Sequence, residues 1–250
     1  MKSTAYIKYS ANIQGIKFDR LKIESPDPQI ASVTLTMVDE KRINLSFVVA
    51  NPISLDQARS STKEFAERVL NAFSYHYSIR IGRLTLDDEY LESIDENGNN
   101  ITPISLQVEI VPEIIVSITT LIKSLDPPLT NLINSSPGSR KLVLCGQFRF
   151  AMQNDDVVSR YMFFYSLILQ VFNDKQKKVD AFICAQEPTV ELFQSPIHKG
   201  MDTVYTKLRN EIAHVRENVT LEETSKEIKL KVDSLQSLTR RAIEMVELSK

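Results

Sequence analysis

A late segment of the chain, Tyr205 to Val215, holds an arginine, an asparagine and a histidine whose spacing could support chemistry on a phosphate ester. A guanidinium such as that of Arg209 binds phosphate through paired hydrogen bonds and stabilises charge that develops on it. The imidazole of His214 titrates near neutral pH and can transfer protons. Asn210 lies four residues before His214, so on a helix its amide could hold the imidazole in one orientation.

This pattern leaves several interpretations open. The three side chains could bind an anionic ester, or they could contact a copy of the same helix from a second protomer. The structural alternative is a solvated helix face that ends in a capping histidine. A helix is predicted from Pro196 to Arg216, with its buried face formed by Met201, Val204, Tyr205, Leu208, Ile212 and Val215. Arg209, Asn210, Ala213 and His214 are then expected on the opposite, accessible face.

Other residues with ligating or nucleophilic potential are assigned to structural roles. His76 is predicted at the edge of a core, beside two aromatic residues, and His198 is predicted at the surface. The chain has only three histidines and no HExxH or CxxC element, so we expect no metal site. Cys145 and Cys184 are predicted to be buried thiols in a reducing compartment.

Acidic pairs and glycine patterns give no second site. Asp87-Asp88-Glu89 is interpreted as a solvated strand end, Asp155-Asp156 as a helix cap, and Glu222-Glu223 as a complement to the positive end of a helix. The glycine-rich motifs of nucleotide-binding folds and the serine nucleophile elbow are missing from the sequence. We therefore expect no cofactor.

Charge and hydropathy limit the partners that the sequence can suggest. The formal net charge is −2, and residues 1–112 carry 12 basic and 15 acidic side chains. Binding of a nucleic acid would therefore have to rest on a local basic patch. The N-terminus has no apolar segment of the kind that secretory signals contain. The apolar stretch from Tyr161 to Phe172 is too short to cross a bilayer, so we expect a cytoplasmic protein without a membrane partner.

The first half of the chain predicts an α+β domain over residues 1–112. Short segments with alternating polarity predict strands at residues 6–9, 16–18, 32–38, 43–48, 83–90 and 104–111. One amphipathic helix is predicted between them, at residues 54–78, with Ser54 as its cap. Together they predict an antiparallel sheet packed on one helix.

The second half predicts a helical bundle over residues 139–250, after a helical connector and linker at residues 113–138. Pro112 to Leu125 could begin a helix that Asp126-Pro127-Pro128 would break. The helices of the bundle are predicted at Arg140–Gln153, Asp155–Asn173, Pro196–Arg216 and Leu221–Leu248, with a less regular segment at 174–195. The second of these is apolar nearly all round and should be the central helix. Thr220 and Glu223 predict a capping box at the start of the last one.

Residues 139 to 250 resemble the HEPN superfamily, whose hallmark is an arginine followed by a polar residue and, four to six positions after the arginine, by a histidine. Three segments are more narrowly similar to the MauJ-type proteins, which take their name from methylamine utilisation operons. They are Phe148-Arg149-Phe150-Ala151, Arg160-Tyr161-Met162-Phe163-Phe164-Tyr165-Ser166 and Tyr205-Thr206-Lys207-Leu208-Arg209-Asn210-Glu211-Ile212-Ala213-His214. The MauJ name describes a gene neighbourhood, and we do not interpret it as methylamine oxidation.

The resemblance implies an all-α HEPN-like bundle that acts as a homodimer, in many relatives as a metal-independent endoribonuclease. Two protomers would place both motifs along one cleft, where the RNA 2′-hydroxyl attacks its own phosphodiester and leaves a cyclic phosphate. Carried over to this chain, Arg209 would stabilise the phosphorane, His214 would be the acid and base, and Asn210 would position them. Lys207 and Arg216 would help to bind the substrate.

Other relatives are catalytically silent and bind a nucleotide, an RNA or a protein partner. The resemblance therefore also admits a non-catalytic accessory protein. In the catalytic interpretation, residues 1–112 would be a regulatory or specificity module.

Overall fold

The computed structural model describes residues 2–94, 100–101, 120–195, 199–214 and 220–247. The chain divides into two compact units, Met1–Pro137 and 138–249. No helix in the described ranges is both long enough and apolar enough to span a bilayer.

Unit 1 (Met1–Pro137) is a sheet with one long helix. Its elements in chain order are β1 (Lys2–Asn12), β2 (Ile16–Lys17), β3 (Arg20–Ile23), β4 (Ile30–Asp39), β5 (Arg42–Ala50), α1 (Leu55–Tyr77), β6 (Thr85–Ile94), β7 (Asn100–Ile101), β8 (Thr120–Leu121) and α2 (Pro127–Ile133). Six strands form an antiparallel sheet in the order β3-β4-β5-β1-β6-β7, and β2 pairs with β8 in a separate parallel ladder. The helix α1 packs on β1, β5 and β6.

The core of unit 1 follows from the alternation of its strands. Ile7 and Tyr9 of β1 are buried toward α1, and the Tyr9 hydroxyl donates to the carbonyl oxygen of Arg59 at 3.0 Å. Ser54 caps α1 by accepting from the N–H of Gln57, as predicted. The helix ends at Ser78, whose backbone lies in the left-handed region.

The predicted connector between the two halves differs from the structure. Thr120–Leu121 is a strand, so the expectation of a helix up to Leu125 is wrong there. The segment Asp126-Pro127-Pro128 begins a helix instead of breaking one. Asp126 is its N-cap, and prolines fit a first helical turn because the N–H groups there have no partner within the helix. The predicted strand at residues 104–111 lies outside the described residues.

Unit 2 (138–249) is a helical bundle with one short hairpin. It contains α3 (Arg140–Gln153), α4 (Val157–Val171), α5 (Gln176–Gln186), β9 (Leu192–Gln194), β10 (Met201–Thr203), α6 (Val204–Ala213) and α7 (Leu221–Glu244). The helix α4 contacts each of the other four helices and is central, as predicted. Its outer side is not fully covered, since Phe163 is 40% exposed. Half of the predicted capping box is present: the Thr220 hydroxyl accepts from the N–H of Glu223. The Glu223 carboxylate accepts from the Thr220 hydroxyl and not from the Thr220 backbone N–H that a capping box uses.

The mixed α+β class predicted from the sequence is confirmed by the sheet-and-helix unit and the helical unit that follows it. The predicted helix Pro196–Arg216 is wrong at its start, because Met201–Thr203 pair with Leu192–Gln194 as extended backbone. The helix begins at Val204, where Thr203 accepts from the N–H of Thr206. Residues 174–195, predicted to be less regular than the rest of the bundle, contain the 11-residue helix α5.

Candidate functional site

The helix α6 carries the candidate residues, and its first turn is fixed by a buried carboxylate. Asp180 of α5 accepts hydrogen bonds from the Thr203 N–H (3.1 Å), the Thr203 hydroxyl (2.8 Å) and the Thr206 hydroxyl (2.6 Å). The Tyr165 hydroxyl of α4 lies 2.6 Å from the Thr206 hydroxyl. All four side chains are buried. An anion at the start of a helix satisfies its free N–H groups, so this network determines where α6 begins.

A second buried contact holds the other half of α6 against α7. Glu211 accepts from the Thr224 hydroxyl at 3.0 Å, and both side chains are buried. Leu208 and Tyr205 fill the apolar face between these polar contacts. The four residues from Leu208 to Glu211 are therefore held on a rigid element, which is what a preorganised site requires.

Arg209 is half-buried and keeps most of its hydrogen-bonding capacity free among the described residues. Its Nη1 donates to Oδ1 of Asn210 at 2.9 Å. Within the described part of the chain no carboxylate lies at ion-pair distance from this guanidinium. A guanidinium has five N–H donors and no acceptor, so Arg209 retains both charge and donors for an anion.

Asn210 is buried, with 1% of its surface exposed, so the prediction that it lies on the accessible face is wrong. The reason is that α6 packs on both α4 and α7, which cover more of its circumference than a single apolar stripe indicates. The amide orientation follows from chemistry, since a guanidinium can only donate and must face Oδ1. The Nδ2 group is buried and has no hydrogen-bond partner in the described ranges.

A buried amide N–H₂ without a partner costs roughly 1–3 kcal/mol, and such groups in folded proteins usually meet a water, an ion or a ligand. The Nδ2 of Asn210 and the free donors of Arg209 belong to one hydrogen-bonded pair. Together they form a donor-rich site without a neutralising acid among the described residues. Such a site suits an anion with several acceptor oxygens.

His214 lies at the C-cap of α6, one residue beyond the helix. Its backbone is extended, with φ −136° and ψ 123°, and its N–H donates to the carbonyl oxygen of Asn210 at 3.1 Å. The imidazole is exposed. The Asn210 amide therefore does not hold the imidazole as expected, because the helix ends before His214 and the amide oxygen is bonded to Arg209. The histidine is accessible to solvent or to a ligand.

Of the two predicted substrate-binding cations, Lys207 and Arg216, the structure describes only Lys207. The Lys207 Nζ lies 3.4 Å from Glu227 and 3.7 Å from Glu211, and 4.4 Å from the ring centre of Phe193. Its charge is thus countered by two carboxylates of the same unit. Arg216 lies outside the described residues, as does His198.

Burial raises the pKa of Tyr165 well above its ordinary value, with the charge of Asp180 acting in the same direction, while the Thr206 hydrogen bond and the charge of Arg209 lower it. Burial likewise raises the pKa of Tyr161 well above its usual range. Both hydroxyls remain protonated at physiological pH and act as donors inside the bundle.

The remaining candidates have structural roles. His76 is half-buried, and its Nε2 lies 2.8 Å from Asp126, the cap of α2. Asp156 caps α4 through the Ser159 N–H, as predicted. Asp87 is not a solvated strand end, because Arg42 and Ser10 both bond to its carboxylate. Burial raises the pKa of Cys145 to about 12, and Cys184 is half-buried. Among the described residues no three His, Cys, Asp or Glu side chains are grouped so as to hold a metal ion.

Sequence reasoning missed Asp180, Thr206 and Tyr165, which position α6. The pattern Thr203-x-x-Thr206 could have indicated a helix start, since threonine is a common N-cap. Asp180 gave no signal, because nothing in a sequence joins it to a residue 23 positions later. Comparison of the chain with models of protein families and with curated proteins finds no match.

Proposed function

We propose that unit 2 is a HEPN-type domain that cleaves RNA without a metal ion, as a homodimer, at a site formed by Arg209, Asn210 and His214. One observation carries the proposal: the guanidinium of Arg209 is hydrogen-bonded to the amide of Asn210. No carboxylate of the described residues neutralises this guanidinium, and the buried Nδ2 of the amide has no partner among them. Both groups donate hydrogen bonds, and a phosphodiester offers only acceptors at its phosphate. The exposed imidazole of His214 follows on the same helix end.

In the proposed reaction the RNA 2′-oxygen attacks the adjacent phosphorus. The 2′-proton passes to one imidazole, and the departing 5′-oxygen receives a proton from a second one, so the products are a 2′,3′-cyclic phosphate and a 5′-hydroxyl. The two imidazoles would be the His214 residues of the two protomers. Arg209 would bind the non-bridging oxygens as negative charge accumulates on them, and Asn210 would donate through Nδ2.

A second candidate, a non-catalytic protein that binds a nucleotide, is favoured by the state of Lys207. A polyanion is bound by an array of unpaired cations, and the neighbouring lysine is already countered by Glu227 and Glu211. A single phosphate group needs only the donors of Arg209 and Asn210. Under this alternative, His214 would contact the ligand without transferring a proton.

The decisive experiment incubates purified protein with structured and unstructured RNAs, with and without EDTA. We expect cleavage that resists EDTA, with cyclic-phosphate ends, and its loss in both His214→Ala and Arg209→Gln. Arg240→Gln is the matched control. It removes a cation from the same unit. Arg240 lies on α7, 16 residues beyond Thr224, which is the residue of α7 that bonds to Glu211 of α6. At 1.5 Å per residue this separation is about 24 Å.

Two results would overturn the proposal. Cleavage that EDTA abolishes, or that His214→Ala retains in full, excludes this site as a metal-independent nuclease. If wild type and variant are equally inert towards RNA, but mononucleotide binding is lost in Arg209→Gln, the second candidate replaces the first. The dimer is tested separately, by sedimentation over a range of protein concentrations.

A further inference from the structure

The strand β3 is an edge of the six-stranded sheet in unit 1. It pairs with β4 on one side, from Arg20 opposite Thr36 to Ile23 opposite Val33. No strand of the described ranges lies on its other side. In an antiparallel strand, alternate residues direct both backbone groups to the same side, so two of the four residues of β3 direct their N–H and C=O groups outward. An edge of this kind is a template for another strand.

A groove of about 410 Å³ runs along this edge, from Arg20 to Glu24. Its second wall is formed by residues 123–125 and by Thr130, Ile133 and Asn134 at the end of α2. The volume lies within the range of sites that hold small molecules or short peptide segments. Four residues of extended chain span about 13 Å, which is the length of β3 itself.

The chain already supplies a strand just before this groove. β8 pairs with β2 in parallel, and the N–H of Ile122 donates to the carbonyl oxygen of Lys17 at 2.8 Å. Beyond Ile122 the chain turns toward α2, whose cap is Asp126. The described pairing of this segment therefore ends at Lys17, three residues before β3 begins, and residues 123–125 line the groove without pairing with β3.

The charges at the groove are mostly positive. Arg20, Lys22 and Lys123 are exposed, and none of them is paired with a carboxylate in the described ranges. Glu24 is the single acid among the lining residues. Arg20 and Lys22 lie on one face of β3, two residues apart, because side chains alternate along a strand. By contrast, Arg42 and Arg59 elsewhere in the unit are paired with Asp87 and Glu89.

We propose that unit 1 binds an extended acidic segment of a partner protein, which adds to β3 as a further strand. The backbone of the segment pairs with the outward groups of β3. Acidic side chains at alternate positions lie beside Arg20 and Lys22, where directly opposed opposite charges stabilise a strand pair. A peptide fits better than a nucleic acid, because only a peptide backbone alternates donors and acceptors at the spacing of a strand. The proposal is independent of the activity proposed for unit 2.

The test uses the full chain and a labelled ten-residue peptide in which glutamate and valine alternate, with fluorescence anisotropy as the readout. Two matched probes separate the contribution of the acidic side chains from that of the backbone hydrogen bonds. One replaces every glutamate with glutamine, and the other carries N-methyl groups on alternate backbone nitrogens, which removes the donors that a strand needs. We expect the glutamate peptide to bind, the glutamine peptide to bind about tenfold more weakly, and the methylated peptide not to bind.

Variants of the protein complete the test. Lys22→Glu should weaken binding about tenfold, because an attractive pair becomes a repulsive one, whereas Lys63→Glu should leave it unchanged. Lys63 is an exposed residue of α1 in the same unit and undergoes the same change of charge. The proposal is overturned if the methylated peptide binds as well as the parent, or if Lys22→Glu has no effect. Tighter binding of a single-stranded oligonucleotide, lost in Lys22→Glu, would identify a general polyanion patch and would also overturn it.

Discussion

At the scale of single residues, the candidate site depends on one hydrogen bond. Arg209 donates to the Oδ1 of Asn210, which fixes the amide and leaves its buried Nδ2 without a described partner. The spacing of the motif predicted Arg209, Asn210 and His214 as one site, and the structure joins the side chains of the first two by this hydrogen bond. It did not predict the burial of Asn210 or the extended backbone at His214, because both depend on how α4 and α7 pack around α6 and on where that helix ends.

The substitution Asn210→Asp tests whether the free donors matter. The carboxylate has the same shape, but it would form an ion pair with Arg209 and would replace the Nδ2 donor with an acceptor. We expect mononucleotide binding and RNA cleavage to fall by at least about tenfold, while the melting temperature changes little because a charge pair replaces the existing bond. Isothermal titration calorimetry and the cleavage assay provide the measurements.

Gln147→Glu is the control for that substitution, since it makes the same change of charge at an exposed position of α3. It should bind and cleave like the wild type. An Asn210→Asp protein that retains full binding would show that the orphaned amide takes no part in ligand recognition.

At the scale of elements, α6 differs most from its sequence-based prediction. Periodicity located part of its apolar face, because Tyr205 and Leu208 are buried where the pattern placed them. Met201, predicted on the same face, is exposed because it lies in β10. Periodicity failed at the ends: a hairpin strand occupies Met201–Thr203, and Asp180 sets the first turn from another helix. Residues such as Ser54 and Thr220, whose capping partners lie within four positions, were predicted correctly. Local contacts can be read from a sequence, whereas contacts between elements depend on packing.

Asp180→Asn should destabilise unit 2. The buried Oδ1 of Asp180 accepts all three hydrogen bonds, from a backbone N–H and two hydroxyls. The neutral amide oxygen of asparagine can accept the same three bonds, but each is weaker than a bond to a charged carboxylate. We expect the free energy of unfolding to fall by about 2–3 kcal/mol, measured by urea denaturation with circular dichroism.

The matched control is Asp174→Asn. Asp174 is exposed and has φ 57°, a left-handed conformation that asparagine also accepts, so the same chemical change should have an effect within about 0.5 kcal/mol. Equal stability of the two variants would show that the Asp180 network does not hold the start of α6.

At the scale of the whole molecule, the sequence predicted an α+β part and a helical part, and the chain divides after Pro137 into two compact units. In each proposed site, cations without a carboxylate partner among the described residues would bind an anion. In unit 2 the lysine beside the candidate site is countered, and the guanidinium is left free among the described residues. In unit 1, Arg20, Lys22 and Lys123 gather at one sheet edge, although residues 1–112 carry more acids than bases.

The two cysteines offer a way to follow unit 2 alone within the whole molecule, because both belong to it. Cys145 is buried, and burial raises the pKa of its thiol to about 12, so almost none of it is thiolate in the folded protein near pH 8. Cys184 is half-buried and should be modified first. We expect dithiobis-nitrobenzoate to react quickly with one thiol, and with the second only as unit 2 unfolds in urea. Cys184→Ser should remove the fast phase and Cys145→Ala the slow one. Rapid reaction of both thiols in the folded protein would mean that the helical core around Cys145 opens far more readily than its packing indicates.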